Sequence, residues 1–198
     1  NIVMLMQRKY NRNSAIIYNT LQMYRNDRIV YLKKLLKDAK KNNYYLGLKI
    51  VRGAYHKKEI DRSIKMNYSC PVHMKKDNTD QDFNNALKIC IENINIVSIC
   101  AGTHNEESSE ILTKLMSNNK IQNNDKRIYY SQLLGMSDHI SYNLSEVNYN
   151  VAKYVPYGPI KEVIPYLIRR AEENRSIKGQ MGRELSNIVL EKRRRQTN

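Results

Sequence analysis

Four side chains late in the chain are spaced to act together: Tyr166, Arg169, Arg170 and Glu173. At i, i+3, i+4 and i+7 they share one face of a helix. An aromatic ring, two adjacent guanidiniums and a carboxylate suit the capture of an anion, because Arg grips a carboxylate in a bidentate fork. The same spacing also fits a surface helix with a salt-bridged face. Val163, Ile164, Leu167 and Ile168 form the opposite flank, which can pack. Elsewhere, polar groups recur where apolar runs end. They are Gln22, then Lys49 with Arg52-Gly53-Ala54, then Thr103-His104-Asn105, then Gln132 with Gly135-Met136, and Tyr154 with Tyr157-Gly158. Taken singly, His104 reads as the start of a helix and Lys49 as a side chain snorkelling to solvent.

The runs that precede these groups read as strands at 15–22, 45–51, 94–102, 127–133 and 151–156. Between them lie helical patterns at 28–43, 56–67, 79–94 and 105–119, and a loop or helix through 135–144. The residue 28–43 pattern is apolar at 29, 32, 35, 36 and 39. The acidic first turn at Glu106-Glu107 suits the positive end of a helix dipole. A helix opens the chain at 1–13, and another closes it at 183–195. Near-continuous apolar strands alternating with helices predict a parallel sheet buried on both faces. Five βα units fit an open doubly wound sheet or the larger part of a (β/α)8 barrel. No Gly-rich dinucleotide fingerprint follows a strand, which removes the main support for the first. In a barrel, the polar strand ends all converge on the face where active sites form.

With 198 residues, 41% of them hydrophobic, the chain can bury a core. Three cysteines, Cys70, Cys90 and Cys100, show no paired spacing, which fits a reducing compartment. Cys70 and His73 lack the further ligands that a metal would need. The charge of +15 raises nucleic acid or an anionic membrane as partners. The basic residues are dispersed, however, and the one dense run is Lys192-Arg193-Arg194-Arg195, in the tail 191–198. No apolar window is long enough to span a bilayer. The chain opens inside a helical pattern without Met, as a piece of a longer protein would.

Four blocks in order resemble the signature blocks of proline dehydrogenase. They are Lys49-Ile-Val-Arg-Gly-Ala-Tyr55, Gly102-Thr-His-Asn105, Gln132-Leu-Leu-Gly-Met-Ser-Asp138, and Lys153 to Pro159 together with Tyr166 to Asn174. The resemblance spans Asn19 to about Ser186 and implies a distorted (β/α)8 barrel carrying FAD. It implies oxidation of L-proline to Δ1-pyrroline-5-carboxylate, with electrons passed to a membrane quinone. Arg169 and Arg170 then match the pair that binds the proline carboxylate, with Tyr166 and Glu173 as pocket neighbours. Tyr154 matches the tyrosine packed on the proline ring, where hydroxyproline-preferring relatives carry a smaller residue. Gln22, Arg52, Gly53, Ala54, Thr103 and His104 match flavin contacts. Lys49 stands where many bacterial members place an Arg beside flavin N5, and is the expected catalytic charge. His104 is the candidate base.

The match begins at about the fourth barrel strand, so residues 1–198 are expected to form the later part of the barrel domain. The family's substrate lysine and flavin-side aspartate fall outside it, and the isolated chain is expected to bind FAD weakly. Its end, soon after the last helix, favours a stand-alone enzyme. The implied location is the bacterial cytoplasm, peripheral to the inner membrane, or else the mitochondrial inner membrane or matrix. The competing readings are a basic binder of membrane or nucleic acid, a hydroxyproline-preferring relative, and a flavin-free barrel enzyme. Nucleic acid is not expected as a partner, because the basic residues are dispersed and the tyrosines fall mostly in strands and apolar stripes.

Overall fold

The computed structural model describes residues 2–176 and 180–196. It divides into two units, Asn1–Tyr154 and Val155–Asn198. The first unit runs α1 (Ile2–Tyr10), β1 (Tyr18–Gln22), α2 (Arg28–Asn42), β2 (Leu46–Val51), α3 (His56–Lys65), α4 (Lys76–Glu92), β3 (Val97–Gly102), α5 (Glu106–Asn118), β4 (Ile128–Leu133), α6 (Asp138–Glu146) and β5 (Val151–Tyr154). The second holds α7 (Ile160–Ser176) and α8 (Gln180–Gln196).

All five strands are parallel, and their spatial order is β1-β2-β3-β4-β5, the order of the sequence. A doubly wound sheet reverses its strand order at a switch point, and none occurs here. Successive right-handed crossovers therefore lay every connecting helix on the same side. The burial pattern agrees. Leu21, Leu46, Leu48, Ile50, Val97, Ile99, Ala101, Ile128 and Tyr130 alternate along their strands and join one core with Leu32 and Leu35 of α2, Phe83 and Leu87 of α4, Leu112 and Met116 of α5, and Ile140 of α6. Burying each large aliphatic side chain of this layer contributes about 1.5–3 kcal/mol.

The opposite sheet face corrects the expectation of strands buried on both sides. Thr20, Lys49, Cys100, Tyr129, Ser131 and Tyr154 lie there, half-exposed or exposed. The strands read as continuously apolar because small or amphipathic residues (Gly47, Cys100, Ala152) fill many positions of this face. It is called the open face below.

Local chemistry trims the elements relative to their sequence patterns. Asn11 Oδ1 accepts from the amides of Ile16 and Ile17 at 3.1 and 2.9 Å, so the backbone enters the sheet only at Tyr18. The amides of Ile96 and Val97 both turn back to Asn93 O, which delays β3 to Val97. Below the sheet, Gln7 Nε2 donates to Ile17 O at 3.1 Å and Gly47 O at 2.8 Å, tying α1 to β1 and β2. Residues 135–144 resolve as a turn followed by α6.

Arg8 clasps Asp38 of α2 through Nε at 3.0 Å and through Nη2, and the Tyr44 hydroxyl donates to the same carboxylate at 2.9 Å. Arg8 and Tyr44 hold the Asp38 carboxyl below the usual range against the opposing effect of burial. Burial and the adjacent carboxylate push Tyr44 up to about 12. A depressed carboxyl stabilises the fold above its unfolded pKa, and that stability is lost as pH falls through the folded value. The melting temperature should therefore drop on acidification from about pH 5 to about pH 3, and Asp38→Asn should flatten that slope in scanning calorimetry.

Candidate active site

The C-terminal ends of the five strands form one edge of the sheet, and the polar residues singled out by sequence gather there. Strand alternation divides them between the two faces. Thr20, Lys49 and Cys100 stand in register across β1, β2 and β3, and they face the open side. Gln22, in register with Val51, faces the same way, as does Tyr154, in register with Leu133. The Lys49 ammonium lies 5.6 Å from the centre of the Tyr154 ring, a cation–π pair that reaches from β2 to β5. Gly102 leaves room for this. A Cβ there would stand 2.9 Å from Val51 Cγ1 and 3.6 Å from Lys49 Cε. Burial pushes the Cys100 thiol up, partly offset by the Lys49 charge and a hydrogen bond with Ser131.

Arg52, Thr103 and Gln132 turn the other way, into the helix layer. Gln132 is buried, donates to Thr103 O at 3.2 Å and accepts from Ser141 Oγ at 3.0 Å. Arg52 reaches α4 and α5. Its Nε donates to Asp80, Nη1 to Thr103 Oγ1 at 2.7 Å and Nη2 to Ser108 Oγ at 2.8 Å. Its Cζ lies 4.4 Å from the Phe83 ring centre. Burial raises the Asp80 carboxyl, but hydrogen bonds from Lys76 and Arg52 outweigh it and leave Asp80 below the usual range. Asn105 caps α5 by accepting from Ser108 N at 2.8 Å, and its own amide donates to Thr103 Oγ1 at 3.1 Å. His104 pairs through Nδ1 with Ser137 Oγ at 3.0 Å.

The Arg52-Gly53-Ala54 turn is locked by backbone. Tyr24 N donates to Arg52 O at 2.7 Å, and Met23 N to Val51 O at 2.8 Å. Gly53 adopts φ +114°, and a Cβ there would lie 2.3 Å from Tyr24 Cδ1. Both the left-handed backbone and the ring demand glycine. The segment after α3 straps this corner, with Val72 bridging Arg25 and His73 N donating to Tyr24 O.

In the second unit, α7 brings together two of the four residues read as one helix face. Arg170 Cζ lies 5.2 Å from the centre of the Tyr166 ring, one turn away. Arg169 is adjacent on the same helix, and the Glu173 side chain lies outside the described residues. Asp80 and Ser108, the partners of Arg52, were not singled out from sequence. Neither were the open-face residues Thr20, Cys100 and Ser131. Period-two alternation through Lys49 could have found the latter.

The class that the first unit defines is a parallel α/β protein with a singly wound sheet, its strand-connecting helices on one side, and the polar residues marked by sequence at the C-terminal strand edge. Residues 2–183 match the family described as proline dehydrogenase. The chain is 36% identical over 204 residues to proline dehydrogenase 1, mitochondrial, of Drosophila melanogaster, covering 98% of this chain and 30% of that protein. It is 40% identical over 177 residues to the Dictyostelium discoideum protein of the same name, covering 86% and 31%. It is also 36% identical over 173 residues to the carbapenem antibiotics biosynthesis protein CarD of Pectobacterium carotovorum, covering 87% and 44%. The chain belongs to the proline dehydrogenase family. It spans about a third of the length of the first two relatives. In fold it resembles proline utilization A from Bdellovibrio bacteriovorus inactivated by N-propargylglycine, with a TM-score of 0.82 at 22% identity over 88% of this chain and 18% of that one. The parallel sheet and alternating helices thus correspond to part of that structure's fold. Among the described residues, no helix is long and apolar enough to cross a membrane.

Gly53→Ala should destabilise the first unit by about 2 kcal/mol through overpacking and an unfavourable φ. A urea melt following tyrosine fluorescence measures this, and an unchanged midpoint would contradict the packing of Gly53 on Tyr24.

Proposed function

We propose that this chain supplies the flavin-facing and substrate-facing part of a proline dehydrogenase. In this reading the first unit is an arc of a (β/α)8 barrel, from about its fourth strand onward, and residues 191–198 form a basic tail. The reaction is oxidation of L-proline to Δ1-pyrroline-5-carboxylate, with a membrane quinone as the final acceptor and peripheral contact with the membrane. The bacterial inner membrane and the mitochondrial inner membrane are the two settings that fit such an acceptor. The observation that carries the reading is the family match over residues 2–183, joined to a lysine and a tyrosine paired on the open face at the strand edge.

The donor set at that edge fits a flavin. An ammonium at Lys49, a carboxamide at Gln22 and an aromatic ring at Tyr154 share the open face. The Gly53 turn, at a positive φ that glycine adopts freely, adds backbone to the same edge without a side chain in the way. Gln22, Ala54 and His104, with the backbone at Arg52, Gly53 and Thr103, would hold the cofactor; the Arg52 and Thr103 side chains turn into the helix layer instead. FAD, when bound, would accept the hydride lost from proline, and with it both electrons of the oxidation.

The chain's own residues have three tasks. Lys49 places a fixed positive charge where electron density accumulates, and Tyr154 keeps the ammonium from wandering. Arg169 and Arg170 hold the proline carboxylate, with Arg170 steadied against Tyr166 and Glu173 as a neighbour on the helix. Tyr154 bounds the ring of the substrate and favours proline over hydroxyproline. Proline must shed its ammonium proton before hydride loss, and His104, hydrogen-bonded to Ser137, is the candidate base.

The reading is tested by loading the protein with FAD and following flavin bleaching on addition of L-proline without oxygen. Proline-dependent bleaching is expected, weaker for the 198-residue chain alone than for the full-length relatives. No bleaching at any proline concentration, in a protein that binds FAD, would refute it. Arg169→Met or Arg170→Met should raise the KM for proline at least tenfold, since a charge-assisted hydrogen bond is worth about 1.5–3 kcal/mol. Unchanged KM values in both would remove the carboxylate clamp.

A further inference from the structure

Arg52 stands in the turn assigned to the flavin, yet its side chain leaves the open face. Three of its donors end on three different elements: Asp80 of α4, Thr103 after β3, and Ser108 in the first turn of α5. Its flat face rests on Phe83, a fully buried ring of the core. The acceptors are themselves held. Asp80 also takes Lys76, Ser108 Oγ donates to Asn84 Oδ1 at 2.7 Å, and Thr103 Oγ1 also takes the Asn105 amide. On the backbone side, Arg52 O accepts from Tyr24 N. The loops after β1, β2 and β3 and the N-terminal parts of two helices therefore meet at one residue, the first through its carbonyl and the others through its guanidinium.

We infer that Arg52 is a positioning residue and that Asp80, which no sequence signal marked, is its anchor. The guanidinium acts through other groups. It sets the Gly53-Ala54 turn against β1, and the Thr103-His104-Asn105 segment against α5. Asp80 aims the fork, because a carboxylate beside Nε leaves the two terminal nitrogens directed at the two hydroxyls. A lysine would bring the charge without the fork, and one ammonium cannot span three acceptors on three elements. The functional consequence rests on the flavin reading above. The cofactor would touch the Gly53 turn and the Thr103-His104 segment, and Arg52 would fix the distance between them.

Hydrogen exchange on Arg52→Met, Arg52→Lys and Asp80→Asn, made in this chain, tests the inference without any flavin. The amides of Tyr24, Asn105 and Ser108 should exchange about tenfold faster or more in all three variants. The amides of Ile99 and Tyr130, which bond to Arg127 O and Asn150 O at the far end of the strands, should keep their wild-type rates. A flavin titration on the same proteins should show FAD binding weakened about tenfold by Asp80→Asn, although that carboxylate lies on the helix side. Unchanged exchange at Asn105 and Ser108 in Arg52→Met overturns the inference. So does equal acceleration at all five amides, which is the signature of general destabilisation. If the wild-type chain binds no flavin, the cofactor reading fails on its own account, and the exchange pattern alone decides the role of Arg52.

Discussion

Parallel pairing in sequence order is the constraint from which the other features follow. Once β2 and β3 lie side by side along Leu46↔Val97 to Val51↔Gly102, each alternate residue is committed to one of two environments. Leu48, Ile50, Ile99 and Ala101 meet α2, α4 and α5. Lys49, Cys100 and Gly102 cannot follow them. A slip of β2 by one residue would drive the Lys49 ammonium into that apolar layer and expose Leu46, Leu48 and Ile50. The hydrophobic term that holds the helices on the sheet is thus also what presents a charge on the other face.

Polar groups are numerous inside this fold, and each has a local reason. Asp38 is half-buried because Arg8 and Tyr44 supply three donors to it. Gln132 is tolerated under α6 because Thr103 O and Ser141 Oγ satisfy both ends of its carboxamide. Arg52 can be largely withdrawn from solvent because Asp80, two hydroxyls and an aromatic face replace most of its water. These contacts lie mainly between elements, so they specify how loops and helices are joined more than they add net stability. That is the quality a site needs when it is assembled from the ends of several strands.

The elements were legible from periodicity. The stripe at Leu32, Leu35, Leu36 and Ala39 and the β-branched runs ending at Val51 and Gly102 were read correctly to within a few residues. Misjudged boundaries trace to side chains that compete for backbone amides, such as Asn11, or to turns that consume apolar residues, such as Asn93 to Ile96. The family was legible in four short blocks. What a short block conceals is direction. Lys49 and Arg52 are three residues apart, and both read as cations aimed at a ligand. Alternation sends the first to the open face and the second into the helix layer.

The chain's sequence by itself therefore determined its membership of the proline dehydrogenase family, the order of its βα units and the residues that gather at the strand edge. Periodicity and local motifs are properties of neighbours along the chain, and they survive without a third dimension. Only the tertiary structure decided that the sheet is singly wound with its connecting helices on one side, that Lys49 meets Tyr154, and that Arg52 ends on Asp80, Thr103 and Ser108. Those partners lie 28 to 105 residues apart. Their meeting depends on strand register and helix placement, which no stretch of sequence encodes alone.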